Sequence, residues 1–170
     1  MLFRRSRPKF VPVAKTESVR RLLDVAPIKL GSNNDRVVAV FFDFKCPYCA
    51  RLFRETEEYF ADLAFRGILT YIMCDYIVHK SAEPLHRALR CIPDEERLEF
   101  VAQVFNGGEV KVGDCPGESY KECERLAEEV GVYGTPTLLL YDLKKGRGYM
   151  HFGYLMQDEV VEAVLEYLLR

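Results

Sequence analysis

The chain has no tryptophan, only three histidines, two glutamines (Gln103, Gln157) and three asparagines (Asn33, Asn34, Asn106) in 170 residues. The histidines, His79, His86 and His151, are scattered and carry no ligand spacing, so a histidine-based metal centre is not expected and they receive no role. No apolar run approaches the ~20 residues of a membrane-spanning helix. The formal net charge is −2, which leaves no basic excess to recruit nucleic acid or an anionic membrane. The opening stretch MLFRRSRPKFVPVAKTESVRR is basic but lacks the apolar h-region of a secretory signal, without which Arg4-Arg5 is no export signal. A complete chain of this kind is expected in the cytoplasm; one whose signal had been removed would look the same. Scarce amides beside abundant Glu, Lys and Arg lean toward a thermophilic source.

What is present is apolar and rich in thiols. About half of the residues are hydrophobic (49%), enough for one domain with a sizeable core. Six cysteines stand at 46, 49, 74, 91, 115 and 123, many for a compartment that keeps thiols reduced, although intracellular proteins of hyperthermophiles can be disulfide-rich. After a basic arm over residues 1–15, TESVRRLLDV predicts a short helix with Thr16 as its N-cap. PIKL and RVVAVFFDF read as strands, the second buried on both faces. A helix from Pro47 to Phe65 follows, then a strand in ILTYIMCDYIV, which makes a β-α-β unit with a parallel pair. Residues 80–130 read as a helical block. PTLLLYD and YMHFGY form a hairpin, and MQDEVVEAVLEYLLR closes as an amphipathic helix with Val160, Val164, Leu165 and Leu168 inward.

The decisive stretch is FFDFKCPYCARLF, residues 41–53. Zinc would ask for a second close pair of ligands, which Cys115 and Cys123 do not supply. A structural disulfide closing so short a loop would constrain the unfolded chain little. Redox chemistry accounts for the placement. Cys46 follows a strand and opens a helix, where unpaired N–H groups and the macrodipole favour a thiolate. Pro47 suits the first turn. Cys49, three residues on, returns to the same face and can resolve a mixed disulfide formed at Cys46.

FFDFKCPYCARLF together with GTPTLLLYD resembles the thioredoxin-fold disulfide oxidoreductases of the DsbA type, over about residues 16–170. The resemblance implies an α/β thioredoxin-like fold: a central mixed sheet of four or five strands, flanking helices, and a helical insertion at about 80–130 in a single domain. It implies that Thr135-Pro136 is a cis peptide facing Cys46 and Cys49, with the Thr135 backbone pairing to an extended substrate. Pro47 and Tyr48 then border the substrate site. The activity implied is thiol–disulfide exchange with protein thiols and disulfides, in the oxidising direction, reset by a redox partner that the sequence does not name. No cofactor is needed, because the disulfide itself carries the electrons.

The chain also departs from relatives. Val40 stands where several carry a buried acid six residues before the first cysteine. Asp43 is a candidate for proton transfer or, equally, a strand-end acid capping the next turn. Lys45 is a candidate for thiolate stabilisation. Tyr48 cannot donate as an imidazole would, and Pro-Tyr is also the glutaredoxin pair, which points to an intermediate potential. Cys115 and Cys123 flank a short loop and are the expected structural disulfide; Cys74 and Cys91 form a second bridge or stay buried thiols. A glutathione-dependent glutaredoxin-like reductase and a non-enzymatic redox-sensing or peptide-binding module are the alternative functions.

Overall fold

The structure is a computed structural model that describes residues 6–33 and 35–170; Arg4, Arg5 and Asn34 lie outside the described residues. Its organising strand is the apolar run Val37–Phe42. That run forms β3 (Arg36–Phe42), after β1 (Val11–Val13), α1 (Thr16–Val25) and β2 (Ile28–Leu30). Then come α2 (Pro47–Phe65), β4 (Thr70–Asp75), a 3-10 turn over Lys80–Ala82, α3 (Glu83–Cys91), α4 (Asp94–Phe105) and α5 (Tyr120–Val130). β5 (Thr137–Asp142), β6 (Arg147–Phe152) and α6 (Gln157–Tyr167) complete the order. The strands form one sheet, β1-β6-β5-β3-β4-β2. β3 and β4 are parallel and joined through α2; every other neighbouring pair is antiparallel.

Alternation along the strands divides the interior into two cores. Val38, Val40 and Phe42 of β3 face one side, with Leu52, Phe53 and Phe60 of α2, Phe100 and Phe105 of α4, and Val160 and Val164 of α6. Val37, Ala39 and Phe41 face the other, with Val19 and Leu22 of α1 and Leu126, Ala127 and Val130 of α5. The helical block is therefore not one unit. α3 and α4 lie on the first face, and α5 packs under the second.

Several expectations need correction. The sheet has six strands among the described residues, because Val11–Val13 pairs with Gly148–Met150. Part of the expected N-terminal arm is thus an edge strand of the domain. Thr16 does not cap α1; Lys15 holds that position. The buried Tyr141 hydroxyl instead accepts the Lys15 N–H at 3.0 Å and meets the Thr16 hydroxyl at 2.7 Å. Leu165, expected inside, is 55% exposed, since the helical period carries it past the packed face. The disulfide joins Cys115 to Cys91, not to Cys123. Residues 106–119 return to the end of α3 and bring Cys115 there, whereas Cys123 sits on the buried face of α5 beside the Cys74 thiol. No described helix is long and apolar enough to cross a membrane.

Cys91 and Cys115 are 24 residues apart, so their bond removes substantial freedom from the unfolded chain. Replacing both by alanine should lower the unfolding free energy by about 3 kcal/mol in denaturant titrations. Non-reducing peptide mapping of the wild type should recover these two cysteines in one linked fragment; a Cys115–Cys123 fragment would contradict the assignment.

Candidate active site

Four residues separate the end of β3 from the start of α2, and the last of them, Cys46, is the N-cap of α2, with φ −84° and ψ 113°. That extended geometry turns the sulfur toward the unpaired N–H groups of the first turn. The Cys49 N–H donates to it at 3.2 Å. Pro47 occupies the first turn, where its missing N–H costs no bond. Both cysteines are free thiols and nearly buried, Cys46 at 6% and Cys49 at 2% exposure.

The two sulfurs titrate apart. The Cys49 thiol, hydrogen-bonding to Cys46, does most to lower the Cys46 pKa; burial opposes this, while Thr135 and the N–H groups of Cys49 and Tyr48 reinforce it. The result is a pKa of about 6, against roughly 8.5 for an ordinary thiol. Burial, and then the adjoining Cys46 sulfur, push Cys49 upward. At neutral pH one sulfur is a thiolate and its neighbour a proton donor, an arrangement suited to nucleophilic attack by Cys46 alone.

Across from the pair stands the start of β5. The Thr135–Pro136 peptide is cis, and the Thr135 carbonyl lies 3.7 Å from the Cys46 sulfur. The structure therefore brings together Cys46, Cys49, Thr135 and Pro136, with Pro47 in the same turn. Tyr48 is 59% exposed, and its ring lies 6.1 Å from that of Tyr154. An open groove runs from Cys46 and Pro47 past Phe44, Leu85 and Phe105 to Val110.

Asp43 does not meet the sulfurs with its carboxylate. It is fully buried and caps the turns on either side: Oδ1 accepts the Lys45 N–H at 2.8 Å, and Oδ2 accepts those of Val78 and His79 at 2.8 and 2.6 Å. Burial pushes its pKa up, but the Lys45 and His79 bonds outweigh that and hold it below the usual carboxylate range. Its contribution to stability is accordingly present above the ordinary carboxylate pKa and lost as pH falls through the lowered one. Of its two candidate roles, the cap is the one this geometry supports. Lys45 is exposed on the groove wall, while the groups holding the Cys46 thiolate are Cys49, Thr135 and the helix N–H groups.

One of the histidines given no role, His86, proves to be structural. His86 of α3 is completely buried, and its Nε2 accepts the Phe44 N–H at 3.2 Å. Nδ1 must then carry the hydrogen, which it donates to Asp75 at 2.7 Å. Arg90 bonds the other Asp75 oxygen at 2.5 Å and the Val25 carbonyl at 3.0 Å. Burial raises the Asp75 pKa, but His86 and Arg90 more than offset it. Asp43 and Phe44 are thus tied to the chain after β4 and to α3, just ahead of Cys46. No spacing in the sequence links His86 to Phe44; only the fold does.

A family model described as a thioredoxin-like domain matches residues 23–169. The chain belongs to the thioredoxin-like domain family. Its mixed sheet, its helices on both faces and its helical insertion are those of a thioredoxin-like fold of the DsbA type. A disulfide interchange protein from Neisseria gonorrhoeae is 27% identical, with TM-score 0.62, over 85% of this chain and 96% of that one. Oxidised BdbD from Bacillus subtilis shares the fold at 14% identity and TM-score 0.61, over 85% and 93% of the two chains. DsbA2 from Pseudomonas aeruginosa does so at 15% and 0.56, over 82% and 92%. No curated protein sequence matches the chain.

For this thioredoxin-like domain the pH profile of Cys46 alkylation is the direct check on the site. The rate should rise through one ionisation with a midpoint near 6. Cys49→Ala removes the largest lowering influence, so its midpoint should move up; an unmoved midpoint would contradict the assigned cause.

Proposed function

We propose that the protein is a thiol–disulfide oxidoreductase acting on protein substrates through Cys46 and Cys49. The observation that carries this reading is the Cys46 sulfur at the N-terminus of α2, accepting the Cys49 N–H and facing the Thr135-Pro136 loop. Family membership and the likeness to the gonococcal disulfide interchange protein support thiol–disulfide exchange as the general chemistry.

In the oxidising direction a substrate thiolate attacks the Cys46 sulfur of the Cys46–Cys49 disulfide. That bond breaks, its electron pair leaves on Cys49, and Cys49 takes a proton to become the high-pKa thiol. A second substrate thiolate then attacks the substrate sulfur of the mixed disulfide and releases Cys46 as a thiolate. The substrate has lost two electrons and the cysteine pair has gained them. Cys46 is a good leaving group because its thiolate is stabilised, and this favours the oxidising direction. A second protein disulfide must accept the two electrons to reset the pair. During the mixed disulfide the backbone of Thr135 pairs with extended substrate, beside Pro136. Pro47, Tyr48 and the groove toward Phe44 and Leu85 are the adjoining contact surface.

Oxidative refolding of a reduced disulfide protein tests the reading. The oxidised wild type should accelerate it, and Cys46→Ser should abolish the effect. Given a disulfide-containing substrate instead, Cys49→Ala should accumulate mixed disulfides in which the Cys46 thiolate has displaced one substrate sulfur, visible as a gel shift that a reductant reverses. Wild-type activity that survives Cys46→Ser would sink the proposal.

A further inference from the structure

The segment between α4 and α5, residues 106–119, forms no helix or strand, yet it belongs to two places at once. Gly107, Gly108 and Val110 line the groove that starts at Cys46 and Pro47. Further along, Cys115 is bonded to Cys91 at the end of α3. Little else holds the segment. Among the described residues, none from 109 to 117 makes a backbone–backbone hydrogen bond, and of these Val110 and Val112 alone pack against a core. The bond is also open to solvent. Cys91 is exposed and Cys115 half-buried, and Cys115 lines a second open groove with Glu83, Arg87 and Val112. Cys74 and Cys123, by contrast, are fully buried.

Resting on the exchange reading above, we infer that the Cys91–Cys115 disulfide is a second redox site, exchanged by small dithiols, that holds or releases the wall of the groove beside Cys46. Exposed disulfides are the ones open to such exchange. A thiolate of the dithiol attacks the Cys91 sulfur. The Cys91–Cys115 bond breaks, its electron pair leaves on Cys115, and Cys115 takes a proton. The second thiolate of the dithiol attacks the dithiol sulfur of this mixed disulfide, closes a ring disulfide and releases Cys91 as a thiolate. The protein has gained two electrons and the dithiol has lost them. Reduced Cys115 has one acceptor outside its segment, the Arg87 carbonyl 3.0 Å from its sulfur, and a thiol is a weak donor. That bond does not offset the entropy of a freed loop. The wall formed by Gly107, Gly108 and Val110 must then be ordered by each incoming substrate, which slows capture of an extended chain. A small thiol needs no wall and reacts as before. The bridged form is therefore the one competent for protein substrates, and the redox state of the surrounding small thiols sets how much of it is present.

Dithiothreitol is the probe for exchange. Under native conditions it should open Cys91 and Cys115 together to a mass-tagging alkylator, with Cys74 and Cys123 still protected. Reduction that requires denaturant would overturn the site. Release of the wall is read with trypsin, for which Lys111 is the exposed target inside the segment. Cys91→Ala/Cys115→Ala should be cut after Lys111 about tenfold faster than the wild type, with the rest of the chain intact. An equal rate would overturn the release; so would cutting spread along the chain, the mark of a bond that only stabilises the fold. For the consequence, the oxidised full-length proteins meet a single-cysteine peptide with about six residues on each side of the cysteine, ~20 Å of extended chain. The variant should react at Cys46 about tenfold more slowly than the wild type with this peptide. With 2-mercaptoethanol the two should agree within about twofold. Equal peptide rates would overturn the switch while leaving exchange intact. A wild type whose Cys46–Cys49 disulfide reacts with neither thiol would overturn the exchange reading and the gating of exchange with it.

Discussion

The chemistry of this protein depends on one placement, the Cys46 sulfur at the head of α2. A helix start offers N–H groups that its own backbone cannot satisfy. Here the acceptor is a sulfur rather than the usual side-chain oxygen, and the Cys49 N–H reaches it at 3.2 Å. Charge on that sulfur is thereby favoured, while the deeper Cys49, 2% exposed, is kept protonated by its burial. The difference between two cysteines three residues apart arises from the hydrogen bond between their sulfurs, together with depth and helix position.

Holding that sulfur in place is the task of the surrounding fold. β3 is buried on both faces and ends at Phe42, so the turn that follows begins from a rigid base. Asp43 ties that turn to Val78 and His79, and His86 ties Phe44 to α3. The polar side-chain atoms of Asp43 and His86 themselves are all hydrogen-bonded, which makes the two anchors specific as well as stabilising. The Asp75, His86 and Arg90 cluster lies where β4 meets the insertion, so the insertion fastens the loop ahead of Cys46 as well as walling the groove. On the opposite side Thr135 approaches from the start of β5, a strand that pairs directly with β3. Sheet pairing thus sets the distance between the cysteines and the cis loop.

Much of this was legible in the residues because local signals and global fold agree. The run RVVAVFFDF, the helix from Pro47 to Phe65 and the C-x-x-C at their junction are strong patterns. Helix starts were less legible. Thr16 has the chemistry of a cap, yet it stands inside α1 as its first residue and its hydroxyl meets that of Tyr141, far along the chain. β1 was missed because VPV is three residues long and contains a proline, which only an edge strand accommodates. The pairing of Cys115 with Cys91 depends on how residues 106–119 return to α3, information that no local spacing contains. His86 went unassigned for the same reason: its partners, Phe44 and Asp75, are neighbours only in the folded sheet.

The central claim, that Cys46 and Cys49 form a redox couple biased by a stabilised Cys46 thiolate, is tested most directly by a redox titration with alkylation of the remaining thiols. A Cys46 pKa of about 6 lies between the values of about 7 for thioredoxin and about 3.5 for DsbA. The account therefore predicts one reversible two-electron transition at a potential between about −270 and −120 mV, the values of those two proteins. A couple as reducing as thioredoxin, or no reversible transition of the pair at all, would contradict it.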